Sequence, residues 1–420
     1  MSQLENAERS LIEAHQLTRL RQGLERILPR NRFYSQKLAS VSSLPVMLAD
    51  MVRLPFTSKR ELVDDQEANP LYGTNLTYPL SEYVRLHQTS GTTGKPLKIL
   101  DTQESWDWWA GCWASVYRAA GVNRDDIVFL AFSFGPFIGF WSAYEGAKRL
   151  GALTVPGGGM DSLQRLRVML EIGATVLVCT PSYALRLAEV AQEYGLDIRE
   201  SKVRVTIHAG EPGASIPATR QRIEQAWGAS TFDHAGMTET GAYGFMCSQQ
   251  NGIHVNEAEF LAEILDTQTG QPVQQGEVGE LVLTNLGRWG SPAIRYRTGD
   301  LVRHGGYSCP CGRTFLHLPG GIIGRADDML VVRGVNVYPS ALANVLHRFP
   351  QVAEYRIIVT RKGTMDEIAL KVECPPELAS ALQEELHVAL SLRVPVEVVP
   401  QGSLPRFELK AKRVEDLRTH

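Results

Sequence analysis

The sequence predicts an α/β protein in two parts. The larger N-terminal part carries mostly parallel sheet flanked by helices, together with a β-rich section; a small α+β part follows. Three observations predict this. Strand-like and helix-like runs alternate from about 126 to 235, strand patterns dominate from about 260 to 303, and a compact helix–strand–strand–helix–strand pattern follows residue 325. Repeated strand–helix units imply parallel strands with helices on both faces. A chain of 420 residues also exceeds what one hydrophobic core usually organises.

Taken in order, the N-terminal segment to about residue 40 reads as helix, because Leu17, Leu20, Leu24 and Leu28 fall near helical spacing. Strands are expected at 126–132, 153–156, 175–180 and 203–208, and helices at 138–150, 162–172, 183–194 and 216–227. In the C-terminal part, helices are expected at 340–348 and 377–392, with strands at 352–360, 367–372 and 394–399. Ile368, Leu370 and Val372 would face one side of their strand, and Ala369, Lys371 and Glu373 the other. Leu378, Leu382, Leu386 and Leu390 would form one helical stripe. These patterns divide the chain into 1–324 and 325–420.

Composition is that of an ordinary globular protein. A net charge of −3 supplies no field that would favour nucleic acid or an anionic membrane as partner. The N-terminus lacks a basic segment followed by an apolar one, so no signal peptide is expected and the cytoplasm is the default compartment. The most apolar stretch, near 127–141, is too short to span a bilayer and is broken by Gly135 and Pro136. In a reducing compartment the six cysteines are not expected to form a disulfide framework.

The string His87-Gln-Thr-Ser-Gly-Thr-Thr-Gly-Lys-Pro96 carries the sharpest chemical signal. Gly91 and Gly94 permit backbone conformations that a β-carbon resists. Ser90, Thr92 and Thr93 supply hydroxyls and Lys95 a charge. Such a loop can wrap a triphosphate with N–H groups and hydroxyls. It is not a Walker A loop, which has four residues between its glycines and Ser or Thr after the lysine. A plain flexible polar loop is the competing reading.

The string resembles the phosphate loop of the adenylate-forming superfamily, which includes acyl-CoA synthetases, peptide-synthetase adenylation domains and luciferases. Further matches follow in order. Asp233-His-Ala-Gly-Met-Thr-Glu239 resembles the superfamily's aromatic-Gly-x-Thr-Glu segment, with His234 taken as the aromatic's replacement. Tyr296-Arg-Thr-Gly-Asp300 is similar to its ribose-binding motif. The run from Gly324 to Gly334 resembles its hinge, and Leu404-Pro-Arg-Phe-Glu-Leu-Lys410 the segment with its catalytic lysine. Within the superfamily, phenylacetate–CoA ligases are the most similar group. That resemblance rests on Leu54-Pro-Phe-Thr-Ser-Lys-Arg-Glu-Leu62, Gly210-Glu-Pro212, Cys309-Pro-Cys-Gly-Arg313 and Arg333-Gly-Val-Asn-Val-Tyr-Pro339. Ala343 departs from it, standing where an acid is usual.

The resemblance implies ATP, Mg²⁺ and coenzyme A as reactants or cofactors. Thr92, Thr93 and Lys95 would hold the leaving pyrophosphate; Glu239 would ligate Mg²⁺ and Thr238 would touch phosphate. Asp300 would take both ribose hydroxyls, Gly210, Glu211 and Pro212 would lie along adenine, and Asp233, His234 and Arg325 would also meet the nucleotide. Lys410 would reach the α-phosphate and the attacking carboxylate. Asp327 would be the hinge about which a mobile C-terminal part rotates between two half-reactions. Charge neutralisation and positioning are the levers such chemistry needs, because both reacting partners are anionic. Glu239 or Asp300 taken alone would read as a solvated surface acid.

Cys247, His254, Cys309 and Cys311 compose a Cys₃His set suited to a structural zinc. From the residues alone, ordinary buried thiols fit as well; the resemblance favours zinc. The acid pocket is expected between the turn near 134 and the segment at 235, with Phe134, Phe137, Trp141, Ala235 and Gly236 as its walls. An aromatic-rich pocket favours an aryl or arylacetic acid. Trp106, Trp108, Trp109 and Trp113 read as helix packing. The expected activity is an acid–CoA ligase. A stand-alone adenylating enzyme serving a carrier-protein phosphopantetheine or an amine, and a non-catalytic scaffold, are the alternatives. The resemblance leaves an acyl carrier protein and a homodimer open as partners.

Overall fold

The computed structural model describes residues 4–89, 95–135, 138, 140–326, 330–332, 335–362, 365–390, 392–407 and 413–418. Its main sheet has eight strands in the order His317–Leu318, Ile253–Val255, Gly241–Phe245, Ser230–Met237, Val205–His208, Val176–Cys179, Ile127–Leu130 and Leu153–Pro156. The last five are mutually parallel and the first three antiparallel. The strands Ile127–Leu130, Val176–Cys179 and Val205–His208 are short, apolar and largely buried, as strands covered on both faces should be, while the edge strand Leu153–Pro156 is more exposed. The intervening helices start on local capping signals. Asp161 accepts from the Gln164 N–H, and Thr180 caps a helix whose first residue is Pro181. Gly151 and Gly228 end two helices with φ of 88° and 65°, angles that favour glycine.

A second, antiparallel sheet joins Phe260–Leu265, Val278–Asn285, Tyr296–Arg303 and Gly324–Arg325. The N-terminal helix Arg9–Ile27 packs near it, in a cluster of Leu20, Leu24 and Ile27 with Leu261, Leu286 and Trp289. Gly23 lies in that helix because the Trp289 ring occupies the space of a β-carbon, which would fall 2.1 Å from it. Between the two sheets runs the helix Gln103–Ala119, which buries Trp106, Trp109 and Trp113. The tryptophans are therefore packing residues, as their helical spacing predicts.

Residues from 330 onward build a third sheet with its own core around Leu342, Val345, Ile357, Leu370, Leu382 and Leu386. The expected elements are present: helices Pro339–Leu346 and Ala379–Leu390, strands Glu354–Lys362, Met365–Glu373 and Val396–Val398. Glu373 is buried, because Arg406 lays two hydrogen bonds on its carboxylate, at 3.2 and 2.7 Å, and the Leu404 N–H adds a third. The helix expected from 138 begins at Trp141. Among the described residues no helix is long and apolar enough to cross a membrane.

Candidate active site

Residues Gly210, Glu211 and Pro212 follow the strand Val205–His208 where it leaves the carboxyl edge of the parallel sheet, the usual place for a ligand in such folds. They line a cavity of about 370 Å³ with Asp233, His234, Ala235, Gly236, Asp300 and Arg325. Its far wall comes from the C-terminal sheet region, through Ser340, Ala343, His347, Tyr355 and Arg413. Contacts bridge the sides, among them Thr219 Oγ1 at 2.5 Å from His347 Nδ1 and Arg413 donating to Ser182 Oγ at 3.4 Å.

The acids of the cavity are held by specific partners. Asp233 accepts from the Ser215 N–H at 2.9 Å, and burial pushes its pKa up to about 6. Glu211 accepts from the Ser182 N–H at 2.8 Å, at the first turn of the helix Pro181–Glu193. Asp300 accepts from Tyr243 Oη and Arg325 Nη1, each at 3.1 Å. Burial raises the Tyr243 phenol well above its ordinary value, so it stays a donor.

Thr238 and Glu239 sit in the turn between Ser230–Met237 and Gly241–Phe245, both buried. Lys59 Nζ is 3.4 Å from Glu239 Oε1. Arg288 donates to the Thr238 and Glu239 carbonyls at 2.6 and 3.3 Å. Lys59, Tyr243 and Arg288 are site residues that the sequence reading did not assign. Lys59 lies inside the 54–62 string, so a signal existed for it; nothing local marks Arg288.

Other expected residues are either outside the described set or away from the cavity. Ser90, Gly91, Thr92, Thr93, Gly94, Phe137, Asp327 and Lys410 lie outside the described residues. Lys95 is largely exposed and pairs with Glu67 at 2.8 Å. Phe134 and Trp141 pack edge-to-face on each other, centroids 4.5 Å apart, and neither lines the cavity. Trp141 Nε1 donates to the Gly135 carbonyl at 3.0 Å, turning the indole back onto its own loop. Ala235 and Gly236 do line the cavity. Counting back from Gly236 also corrects the motif: Ala235, not His234, stands directly before the glycine. His234 lies one residue upstream and therefore on the other face of the strand.

Cys247, His254, Cys309 and Cys311 come together with all four ligand atoms within 4.8 Å of one another. Cys247 Sγ and Cys309 Sγ are 3.9 Å apart, and Cys311 Sγ is 3.7 Å from His254 Nε2. Tetrahedral zinc with ordinary bond lengths spaces such atoms by roughly 3.5–3.8 Å, and a disulfide would need about 2 Å. His254 Nδ1 faces the Phe315 carbonyl at 3.3 Å, which leaves Nε2 for an ion. The donor set fits zinc.

A family model described as AMP-binding enzyme matches residues 53–287, and one described as AMP-binding enzyme C-terminal domain matches 334–418. The chain is 33% identical to phenylacetate-coenzyme A ligase of Pseudomonas putida, over 99% of this chain and 96% of that one. The chain belongs to the AMP-binding enzyme family. Against the enzyme of the same name from Thermus thermophilus, this AMP-binding enzyme is also 33% identical, over 99% of both chains. It superposes on a crystal structure of 2-hydroxyisobutyryl-CoA ligase in the postadenylation state with a TM-score of 0.93, at 31% identity, covering 98% of this chain and 91% of that one. The same ligase in its thioesterification state gives 0.75, at 32% identity, over 99% and 91%. The domain arrangement of this AMP-binding enzyme is thus nearer the first state.

Proposed function

We propose that this chain joins a carboxylic acid to coenzyme A in two half-reactions, and that the acid is aryl or arylacetic. In the first, a carboxylate oxygen attacks the α-phosphorus of ATP, forming an acyl-adenylate and expelling pyrophosphate. In the second, the coenzyme A thiol attacks the acyl carbon, the acyl–phosphate bond breaks, and AMP leaves. The carrying observation is that Gly210, Glu211, Pro212, Asp233, Asp300 and Arg325, drawn from four separate motifs, line one cavity closed by the C-terminal sheet region. Whole-length relatives named phenylacetate-coenzyme A ligase support the reading, as do the 2-hydroxyisobutyryl-CoA ligase structures with an acyl-adenylate and with CoA.

In this reading Asp300 accepts from the ribose hydroxyls, with Tyr243 and Arg325 holding its carboxylate in place. Glu239 supplies the carboxylate for Mg²⁺, which would neutralise phosphate charge when bound. Lys95 and the 90–94 loop hold pyrophosphate, and Lys410 delivers positive charge to the α-phosphate. The part beyond about residue 325 acts as a lid hinged near Asp327, withdrawing Lys410 before the thiol enters. Cys247, His254, Cys309 and Cys311 would hold a structural zinc: four protein ligands leave no open position for catalysis.

The deciding experiment measures AMP formation from ATP with aryl, arylacetic and short aliphatic acids, each with and without coenzyme A. AMP released with an aryl acid only when coenzyme A is present is the expected result. Acid-dependent adenylate without coenzyme A turnover would instead assign a carrier-protein or amine acceptor. Turnover confined to aliphatic acids would overturn the aryl assignment.

A further inference from the structure

His234 borders the cavity beside Ala235 and Gly236, and only 7% of it is exposed. Its ring lies on Trp113, with centroids 4.1 Å apart. Trp113 in turn meets Phe140, which meets Phe132. Alternation along the strand Ser230–Met237 turns His234 away from Asp233, whose carboxylate serves the Ser215 N–H, and toward this aromatic layer.

The two ring nitrogens have different fates. Nδ1 lies 2.6 Å from the Gly244 carbonyl oxygen, which can only accept, so Nδ1 carries the proton. Burial holds the imidazole pKa down at about 4, so the ring is neutral near pH 7. Nε2 is then a bare acceptor. Among the described residues it forms no hydrogen bond, and it is not one of the sealed buried atoms without a partner, so it keeps access to the cavity. A β-carbon on residue 236 would stand 3.0 Å from Nε2, so glycine there leaves its approach open. Water meets such an acceptor until a bound acid displaces it, and an acid without a donor then leaves it unpaired.

We propose that His234 is a specificity-determining residue, and that the acid activated here carries a hydroxyl or amino hydrogen that donates to His234 Nε2. The inference rests on the cavity being the acyl-adenylate site. It names the substrate class further: a hydroxy- or amino-substituted acid is selected over its unsubstituted isostere. Such a site discriminates by leaving its own acceptor unpaired when the donor is missing.

The test uses the full chain and pairs of acids that differ by one donor: phenylacetic acid against its ring-hydroxy, ring-amino and α-hydroxy forms, with methyl ethers as controls. AMP formation in the presence of coenzyme A gives kcat/KM for each. The expected result is a preference of at least about tenfold for one donor-bearing acid over both its parent and its ether. In His234→Phe that preference should collapse with the KM for ATP unchanged, and His234→Gln, which keeps an acceptor, should retain part of it. Equal kcat/KM across every pair would overturn the proposal while leaving the ligase reading intact. A rise in the KM for ATP in His234→Phe, with acid preference kept, would assign Nε2 to the adenine amino group instead. The wild-type comparison decides the matter even if neither variant folds. Absence of AMP formation with every acid would bring down the ligase reading and this inference together.

Discussion

Arg288 and Asp101 form a bidentate ion pair with neither side chain exposed; both N–O distances are 2.6 Å. Asp101 lies on the strand Lys98–Thr102, just after the segment expected to hold pyrophosphate. The third guanidinium nitrogen holds the Thr238 and Glu239 carbonyls, and the Trp109 ring lies 4.3 Å beneath. One arginine therefore ties the strand Lys98–Thr102 to the Thr-Glu turn. A buried guanidinium with all its nitrogens engaged fixes orientation more than it adds stability.

Arg288→Met should destabilise the protein by about 3–5 kcal/mol, because Asp101 would remain buried without its counter-charge. Urea unfolding measures this. Adding Asp101→Leu should recover much of the stability, since an apolar pair of similar volume can replace a buried ion pair. Adenylation should stay impaired in the double variant, because Thr238 and Glu239 lose their anchor. Full activity there would show that the pair is dispensable for positioning.

Lys410→Ala should reduce acid-dependent pyrophosphate release by about two orders of magnitude or more, the usual scale for a lost charge at a developing oxyanion. Thioester formation from supplied acyl-adenylate should change little. An equal fall in both half-reactions would remove the role given to Lys410.

Purified protein should contain about one zinc per chain, the stoichiometry of a four-ligand site. Cys309→Ser should lose the metal and lower the unfolding temperature, because the site pins the loop at 309–311 to the strand Ile253–Val255. A folded, metal-free wild type would contradict the assignment.

His208 predicts an acid-side loss of stability. It is fully buried, with Nε2 2.9 Å from Thr206 Oγ1, and burial lowers its pKa from 6.5 to about 4. The folded state therefore binds fewer protons than the unfolded state in that window. Its contribution is present above pH 6.5 and is lost as pH falls toward 4, a change of about 3 kcal/mol for one such shift. Between pH 7 and 4 the unfolding free energy of wild type should fall by about that much more than that of His208→Gln. Parallel curves would exclude His208 as a source.

Much of this architecture was legible because its signals are local. Alternating apolar runs, caps such as Asp161 and Thr180, and glycine stops mark the strand–helix units within a few residues of each element. The strings around 210, 233 and 300, which the structure brings to one cavity, were legible for the same reason: each is short and contiguous. Of the expected pocket aromatics, Phe137 lies outside the described residues, and Phe134 and Trp141 do not line the cavity. Phe134 and Trp141 lie close in sequence to the expected pocket, but a strand-to-helix turn can present its rings to either side, and these two satisfy each other.

By itself the sequence determined the order of strands and helices, the separate C-terminal pattern and the short strings that meet at the cavity, because each depends on periodicity or on a contiguous string. Only the tertiary structure decided which distant residues meet. Asp101 and Arg288 are 187 positions apart and are joined by a sheet and a turn converging. Cys309 and Cys311 reach His254 because His317–Leu318 pairs with Ile253–Val255. The bare Nε2 of His234 depends on a carbonyl supplied by the neighbouring strand. Contacts between distant segments are set by chain packing and strand register, and no local pattern encodes those.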